Sequence, residues 1–255
     1  MWTCGRSAGT VGTVNGLYAR PHTAARRDLP GDPVLESWDA ADHPDRLRLR
    51  AYLDEVEKRL AGAWPPEQPS AVELVVGLKD DVPLDSGGRD LDNYLYPLAR
   101  RLDPGRIAAM FGRKVHQQGS TIAVAPAVAF DADEPPLVEV HTSVSVQSLA
   151  WKQTIHRACH DAVAEPLPGG PVAVRIQFEV SGRRNWAALW KPAIDALGPV
   201  LGTPRPANPF HPADDRIVDL ELHRLLNDEL AHDVVIRVWA TAPQERNVVC
   251  PEPTR

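Results

Sequence analysis

What most constrains the fold of this chain is an element order that occurs twice. Residues 45–60, "DRLRLRAYLDEVEKRL", place Leu49, Leu53, Val56 and Leu60 at helical spacing, and residues 148–163, "SLAWKQTIHRACHDAV", do the same with Trp151, Ile155, Ala158 and Ala162. Each amphipathic segment runs into a Pro-containing turn, "WPPEQPS" or "EPLPGGP". Each turn leads into an alternating β run, "AVELVVGL" (71–78) or "PVAVRIQF" (171–178). A Gly-containing turn and a second helix follow, "RDLDNYLYPLARRL" in the first case and "RNWAALWKPAIDAL" in the second. Aligning Tyr96-Pro97 with Lys191-Pro192 sets Leu95, Leu98 and Leu102 against Trp190, Ala193 and Leu197, one apolar stripe. The same shift carries "STIAVAPAV" (120–128) onto "DRIVDLELH" (215–223). Each half then closes with one more strand, "PLVEVHTSV" (136–144) or "DVVIRVWA" (233–240).

A period of this length points to duplication of one helix–strand–helix–strand–strand unit. The expectation is an α/β protein of two halves, residues 35–146 and 147–255, packed as a pseudo-dimer behind a flexible leader, residues 1–34, that is rich in Gly, Thr, Arg and Pro. The chain length of 255 residues allows two such units.

Composition narrows the functional classes. With 43% hydrophobic and 24% charged residues the chain reads as an ordinary globular protein, and no apolar run reaches the roughly 18–20 residues of a membrane span. The first residues lack the charged head and apolar core of a secretory signal. Cys4, Cys159 and Cys250 are odd in number and scattered, which argues against a disulfide framework, so the cytoplasm is the expected compartment. The net charge of −6 opposes a simple nucleic-acid binder, because phosphate neutralisation normally leaves a basic footprint. The local exception is Arg100, Arg101, Arg106, Arg113 and Lys114 against the single Asp103, read either as a solvated face or as a phosphate-facing strip.

Two aspartates one residue apart open the second helix of the first half, in "SGGRDLDNYLYPLARRL" (86–102). Asp90 is placed to cap that helix and Asp92 to complement its dipole. The alternative is that two like charges so close await a cation. "RDLDN" (89–93), "KPAIDALG" (191–198) and "ADDRIVDLEL" (213–222), in this element order, resemble the RusA-type Holliday-junction resolvases. The resemblance covers most of residues 45–240 and implies a small α/β endonuclease, dimeric in its usual form, that cuts phosphodiesters near a four-way DNA junction with carboxylate-bound divalent metal. It implies Asp90, Asp92 and Asp214 as ligands for Mg²⁺, Asp215 as a further catalytic acid, and Lys191 as a phosphate contact. Magnesium suits such a set, since it takes one or two carboxylates together with waters and phosphate oxygens.

Neither half carries the whole pattern. The first has Asp90, Asp92 and Asn93 but Tyr96 at the lysine position, and its Asp-Asp position aligns on Gly119 and Ser120. The second has Lys191, Asp214 and Asp215, but Asn185, Ala187 and Ala188 replace the helix-opening triad. Three explanations are open: one composite site, which within this family requires the last strands to be exchanged between halves; decay of both sites in a protein kept for binding; or recruitment of Asp80, Asp81 or Asp85. Without metal, Asp214 and Asp215 would simply begin a strand, and Lys191 would snorkel beside Trp190. The expected partner is branched or structured DNA, and the chain is expected to act as a monomeric pseudo-dimer or a homodimer. His156, Cys159 and His160 have a spacing zinc can use but no evident fourth ligand. His211 is an acid–base candidate or an ordinary loop histidine, and no phosphate-binding glycine loop, nucleophile elbow or CxxC pair occurs.

Overall fold

The computed structural model describes residues 16–242 except 30, 37–41, 66–68, 104, 132 and 133. Cys4 and Cys250 lie outside the described residues. Among the described residues, ten strands and five α-helices follow the order β1 (Leu17–Tyr18), β2 (Arg26–Asp28), α1 (Pro44–Leu60), β3 (Ser70–Leu78), α2 (Leu91–Arg101), β4 (Ile107–His116), β5 (Thr121–Pro126), β6 (Ala129–Phe130), β7 (Val138–Thr142), α3 (Leu149–Ala162), β8 (Val172–Val180), α4 (Trp190–Ile194), α5 (Gly198–Leu201), β9 (Ile217–Leu226) and β10 (Val234–Thr241). Eight strands form one mixed sheet in the order β2-β5-β3-β4-β9-β8-β10-β7, and β1 pairs with β6 in a small second sheet.

Two pairs within the large sheet are parallel, β3 with β4 and β8 with β9, and the rest are antiparallel. The β3/β4 ladder starts at Ser70↔Ile107 and slips to resume at Ala71↔Ala109; the β8/β9 ladder starts at Val172↔Ile217 and slips to resume at Ala173↔Asp219. In both, the extra residue sits at the second position of the later strand. The central antiparallel pair β4/β9 runs from Ala109↔His223 to Arg113↔Asp219, with Phe111 opposite Glu221 in the middle.

The sheet is two-faced because strand side chains alternate. Val72, Leu74, Val76, Ile176, Phe178, Leu220 and Leu222 share one core with the helices. α1 brings Leu49, Val56 and Leu60 fully inside and Leu53 partly, as the spacing predicts. α3 buries Trp151, Ile155 and Cys159 and packs Ala158 partly against the core, whereas Ala162 is exposed. Leu95, Leu98 and Leu102 are buried, as are Trp190, Ala193 and Leu197. The second "helix" of the later half is shorter than its pattern predicts: Trp186–Leu189 is a 3-10 turn before the five-residue α4.

The opposite face is charged. Arg20 reaches Glu73 at 3.2 Å and Glu221 at 3.0 Å, and also pairs with Asp219. Arg175 holds the other Glu221 oxygen at 2.5 Å, and Arg26 holds Glu73 at 3.0 Å. His223 is fully buried there; the Tyr18 N–H donates to its Nδ1 at 3.1 Å. Nδ1 therefore carries no proton, and the Nε2–H faces Glu221 Oε2 at 3.5 Å.

Four expectations need correction. Residues 16–29 are part of the fold rather than leader: β1 and β2 pair within sheets, Leu17 is fully buried, and Arg20 neutralises acids that would otherwise be stranded on the charged face. The run from Arg106 to His116 is largely the central strand β4, not a solvated face, because Glu73 and the carbonyl of Asp215 provide partners for Arg113 and Lys114. Residues 120–128 do not match 215–223: β5 lies antiparallel to β3, whereas β9 lies parallel to β8, as β4 does to β3. The strand at 136–144 does not close the first half; β7 pairs with β10 at the far edge of the sheet, as β2 pairs with β5 at the other.

Candidate metal centre

The first two acids are delivered by a tight turn. Gly87 and Gly88 adopt positive φ of 88° and 68°, a conformation glycine reaches without steric cost, and the chain reverses into α2. Asp90 stands at the N-cap position with extended backbone, but its side chain makes no capping hydrogen bond. Its Oδ2 instead accepts from Asn93 Nδ2 at 3.0 Å. Capping does not explain Asp90. Asp92, in the first turn, is 3% exposed. α2 sits close on β4 because Gly112 lies beneath it; a Cβ there would come within 3.1 Å of Leu95 Cδ1.

The third acid arrives from the other end of the sequence. Asp214 opens a 3-10 turn, Asp214–Arg216, that leads directly into β9. Arg216 fixes this turn by donating to the carbonyls of Leu201 at 2.7 Å, Gly170 at 2.8 Å and Pro168. Since β9 runs antiparallel to β4, its start lies at the finish of β4, where α2 begins. One carboxylate oxygen each from Asp90, Asp92 and Asp214 then falls within 4.8 Å of the others, the only such group of three or more potential ligands among the described residues. No exchange of strands is involved: the antiparallel centre of the sheet does the joining.

Lys191, on α4, faces the same point. Its Nζ lies 3.4 Å from Asp92 Oδ2, 3.6 Å from Asp214 Oδ2 and 3.3 Å from Asp195 Oδ1. Asp195 is held in turn by Lys152 Nζ at 2.6 Å. Lys114, buried at the end of β4, donates to the backbone carbonyl of Asp215 at 2.6 Å, which pins the segment carrying Asp214. An apolar cavity of about 230 Å³ adjoins the cluster, walled by Tyr96, Ala187, Trp190 and Pro192 and reaching Asp92 and Lys191.

The electrostatics are those of a site short of positive charge. Burial pushes the Asp214 carboxyl up to about 7, reinforced by Asp90 and opposed by Lys191. Burial likewise raises Asp90 and Asp92 above the ordinary aspartate range, with Lys191 opposing the rise in each. Burial alone would lower Lys191, but Asp92, Asp195 and Asp214 together outweigh it and hold the ammonium charged. Lys114 is lowered to about 8 by burial, against the pull of Asp90 and Asp215. Asp92 Oδ2 is buried and meets the Lys191 ammonium at 3.4 Å, a contact too long and poorly directed to satisfy it as a good hydrogen bond. A buried carboxylate oxygen without a hydrogen bond of good geometry, facing two further carboxylates, fits a hard cation, which takes oxygen ligands.

Of the residues expected from sequence, Asp90, Asp92, Asp214 and Lys191 meet at one point. Asp215 stands beside the group, not in it, and contributes its backbone carbonyl. Asp80, Asp81 and Asp85 do not join the cluster. Cys159 faces the core and its thiol is pushed up to about 12 by burial, so the His156/Cys159/His160 spacing gathers no ligand group. His211 is exposed and outside the cluster. Sequence reasoning named Lys114 only within the basic run and Asp195 only inside "KPAIDALG", and gave neither a place at this site. The signal for Asp195 was its place one helical turn beyond Lys191; Lys114 had none, because its partner is a backbone atom from another strand. No helix among the described residues is long and apolar enough to cross a membrane. No protein-family model matches the chain, and no curated protein matches it.

Proposed function

We propose that the chain is a RusA-like, metal-dependent endonuclease of branched or structured DNA, built from two tandem units packed as a pseudo-dimer. The observation that carries this reading is the convergence of Asp90, Asp92 and Asp214, with Lys191 beside them, from opposite halves of the sequence. The tandem origin is supported by the β3/β4 and β8/β9 ladders, which share their length and the position of their bulge, and by the edge strands β2 and β7, each preceding the first helix of its unit. On that basis the units begin near β2 and β7, and the β9 segment corresponds to β4.

In this role Asp90, Asp92 and Asp214 would hold Mg²⁺. When bound, the ion supplies Lewis-acid polarisation of the phosphate and a water of lowered pKa. The chain's own contributions are positional. Asn93 orients Asp90, and Arg216 and Lys114 fix the strand start that presents Asp214. Lys191 is 39% exposed, so its ammonium can turn from the carboxylates toward a phosphate oxygen. Cleavage of a synthetic four-way junction by the full chain with Mg²⁺ or Mn²⁺, lost in Asp92→Asn, tests the reading. Absence of cleavage across both metals overturns it.

A second reading has its own support. Lys191 already spans Asp92, Asp195 and Asp214, an arrangement that can stand as a structural brace, and the net charge is −6. A degenerate RusA-like protein that binds nucleic acid or protein without hydrolysis would show no metal binding that depends on Asp92.

A further inference from the structure

The two ladders, together with the alignment of Tyr96-Pro97 on Lys191-Pro192, relate the surroundings of the acidic cluster to a second position in the fold. Their shared register sets Arg106-Ile107 against Arg216-Ile217. The arginines behave alike: Arg106 donates to Pro65 O at 2.7 Å and Arg216 to Pro168 O, each closing the Pro-rich turn before its own half's strand. At the other end of the central strands, Lys114 donates to Asp215 O at 2.6 Å and its counterpart Arg224 to Gly105 O at 2.8 Å. Phe111 opposite Glu221 is the midpoint about which these pairs exchange. A second position, equivalent to the acidic cluster, therefore lies where Arg224 meets Gly105. The Arg224 guanidinium also lies 5.8 Å from the centre of the Trp186 ring, so the opening of the later half's second helix is there as well.

That second position has been stripped. Asn185 and Ala187 replace Asp90 and Asp92, Tyr96 replaces Lys191, Arg100 replaces Asp195, and Gly105 replaces Asp215. Arg183 and Arg184 precede Asn185 where Gly88 and Arg89 precede Asp90. A divalent cation there would meet Arg224 and the exposed acid Asp103, and none of the carboxylates that gather at the first position.

We infer that the chain holds one cation centre and not a symmetric pair, and that it therefore cuts a single strand per engagement, nicking a junction where two equivalent centres would cut two strands. The second clause rests on the endonuclease reading; the first does not. The two are separated by two measurements on the full chain. Titration with Mn²⁺, followed by electron paramagnetic resonance, is expected to give one bound ion per chain, lost in Asp92→Asn and in Asp214→Asn. Two equivalent ions, or one that survives both substitutions, overturn the inference. Incubation with a supercoiled plasmid carrying an extruded cruciform is expected to yield open circles; linear product formed without an open-circle precursor overturns it. One ion per chain with no strand cut discards the hydrolase reading and leaves the single centre standing.

Discussion

Lys191 Nζ stands 3.4 Å from Asp92 Oδ2, although the two residues open different helices in opposite halves of the sequence. The contact exists because the sheet's central pair, between its two parallel ladders, is antiparallel. β4 and β9 run past each other there, so helix α2 of one half meets α4 and the β9 start of the other. The ion pair balances a carboxylate that burial would otherwise leave unfavourably charged.

Removing the cation from this group exposes that cost. Lys191→Met is expected to destabilise the metal-free protein by about 1 to 3 kcal/mol, less than a fully buried pair because the lysine side chain is 39% exposed and partly screened. Thermal melts in chelator and in millimolar Mn²⁺ check this. The variant is expected to recover more of its lost stability with metal than the wild type gains. Equal gains would show that the acids do not share a cation.

Asp214→Asn is expected to act in the opposite direction. A carboxyl raised to about 7 by burial and by Asp90 is ionised at a cost to the folded state, and a neutral side chain removes that cost. Denaturant unfolding at pH 8 in chelator should show a gain of about 1 to 3 kcal/mol, together with loss of metal-dependent cleavage. A loss of stability would mean that the Lys191 contact outweighs the burial cost.

His223 sets an acid limit on the other face of the sheet. Burial lowers its pKa, although Glu221 opposes the shift, and its Nδ1 is occupied by the Tyr18 N–H. A histidine lowered in the folded state contributes nothing adverse above about 6.5 and costs stability increasingly as pH falls below that value. The wild type should lose up to about 1.4 kcal/mol per pH unit from this group between pH 6.5 and 5. Unfolding curves of His223→Gln over the same range are expected to be flatter. Glu221, whose charge is held against burial by the His223 hydrogen bond and by Arg20 and Arg175, adds its own loss only at lower pH.

Arg216→Ala tests how Asp214 is positioned. Its guanidinium ties the carbonyls of Leu201, Gly170 and Pro168 to the start of β9. Losing these charged hydrogen bonds should cost about 2 to 3 kcal/mol and weaken Mn²⁺ affinity without touching a ligand. Lys at this position is expected to restore part of the stability and less of the affinity, since one ammonium cannot reach three carbonyls in a planar fork.

Much of the scaffold was legible in the chain. The stripe Leu49, Val56 and Leu60 and the strand "AVELVVGL" are local patterns set by helical and strand periodicity, and the structure places them as read. The acids Asp90, Asp92 and Asp214 were named through the resemblance that their motifs carry. Strand β4 was not, because Arg113 and Lys114 look solvent-facing until Glu73 and the Asp215 carbonyl are known to meet them. The same blindness misplaced 120–128 and 136–144: alternation marks a strand but not its neighbour, and β5 and β9 read alike although one is antiparallel and the other parallel to its partner.

By itself the sequence determined the amphipathic helices, the strands at 71–78 and 171–178 and their buried faces, since these follow from period, turn chemistry and side-chain type within a few residues. Only the tertiary structure decided that Asp90, Asp92, Asp214 and Lys191 form one place rather than two incomplete ones. The reason is that the pairing of β4 with β9 joins residues about a hundred positions apart. That register is fixed by burial of the whole sheet and not by any local preference of the chain.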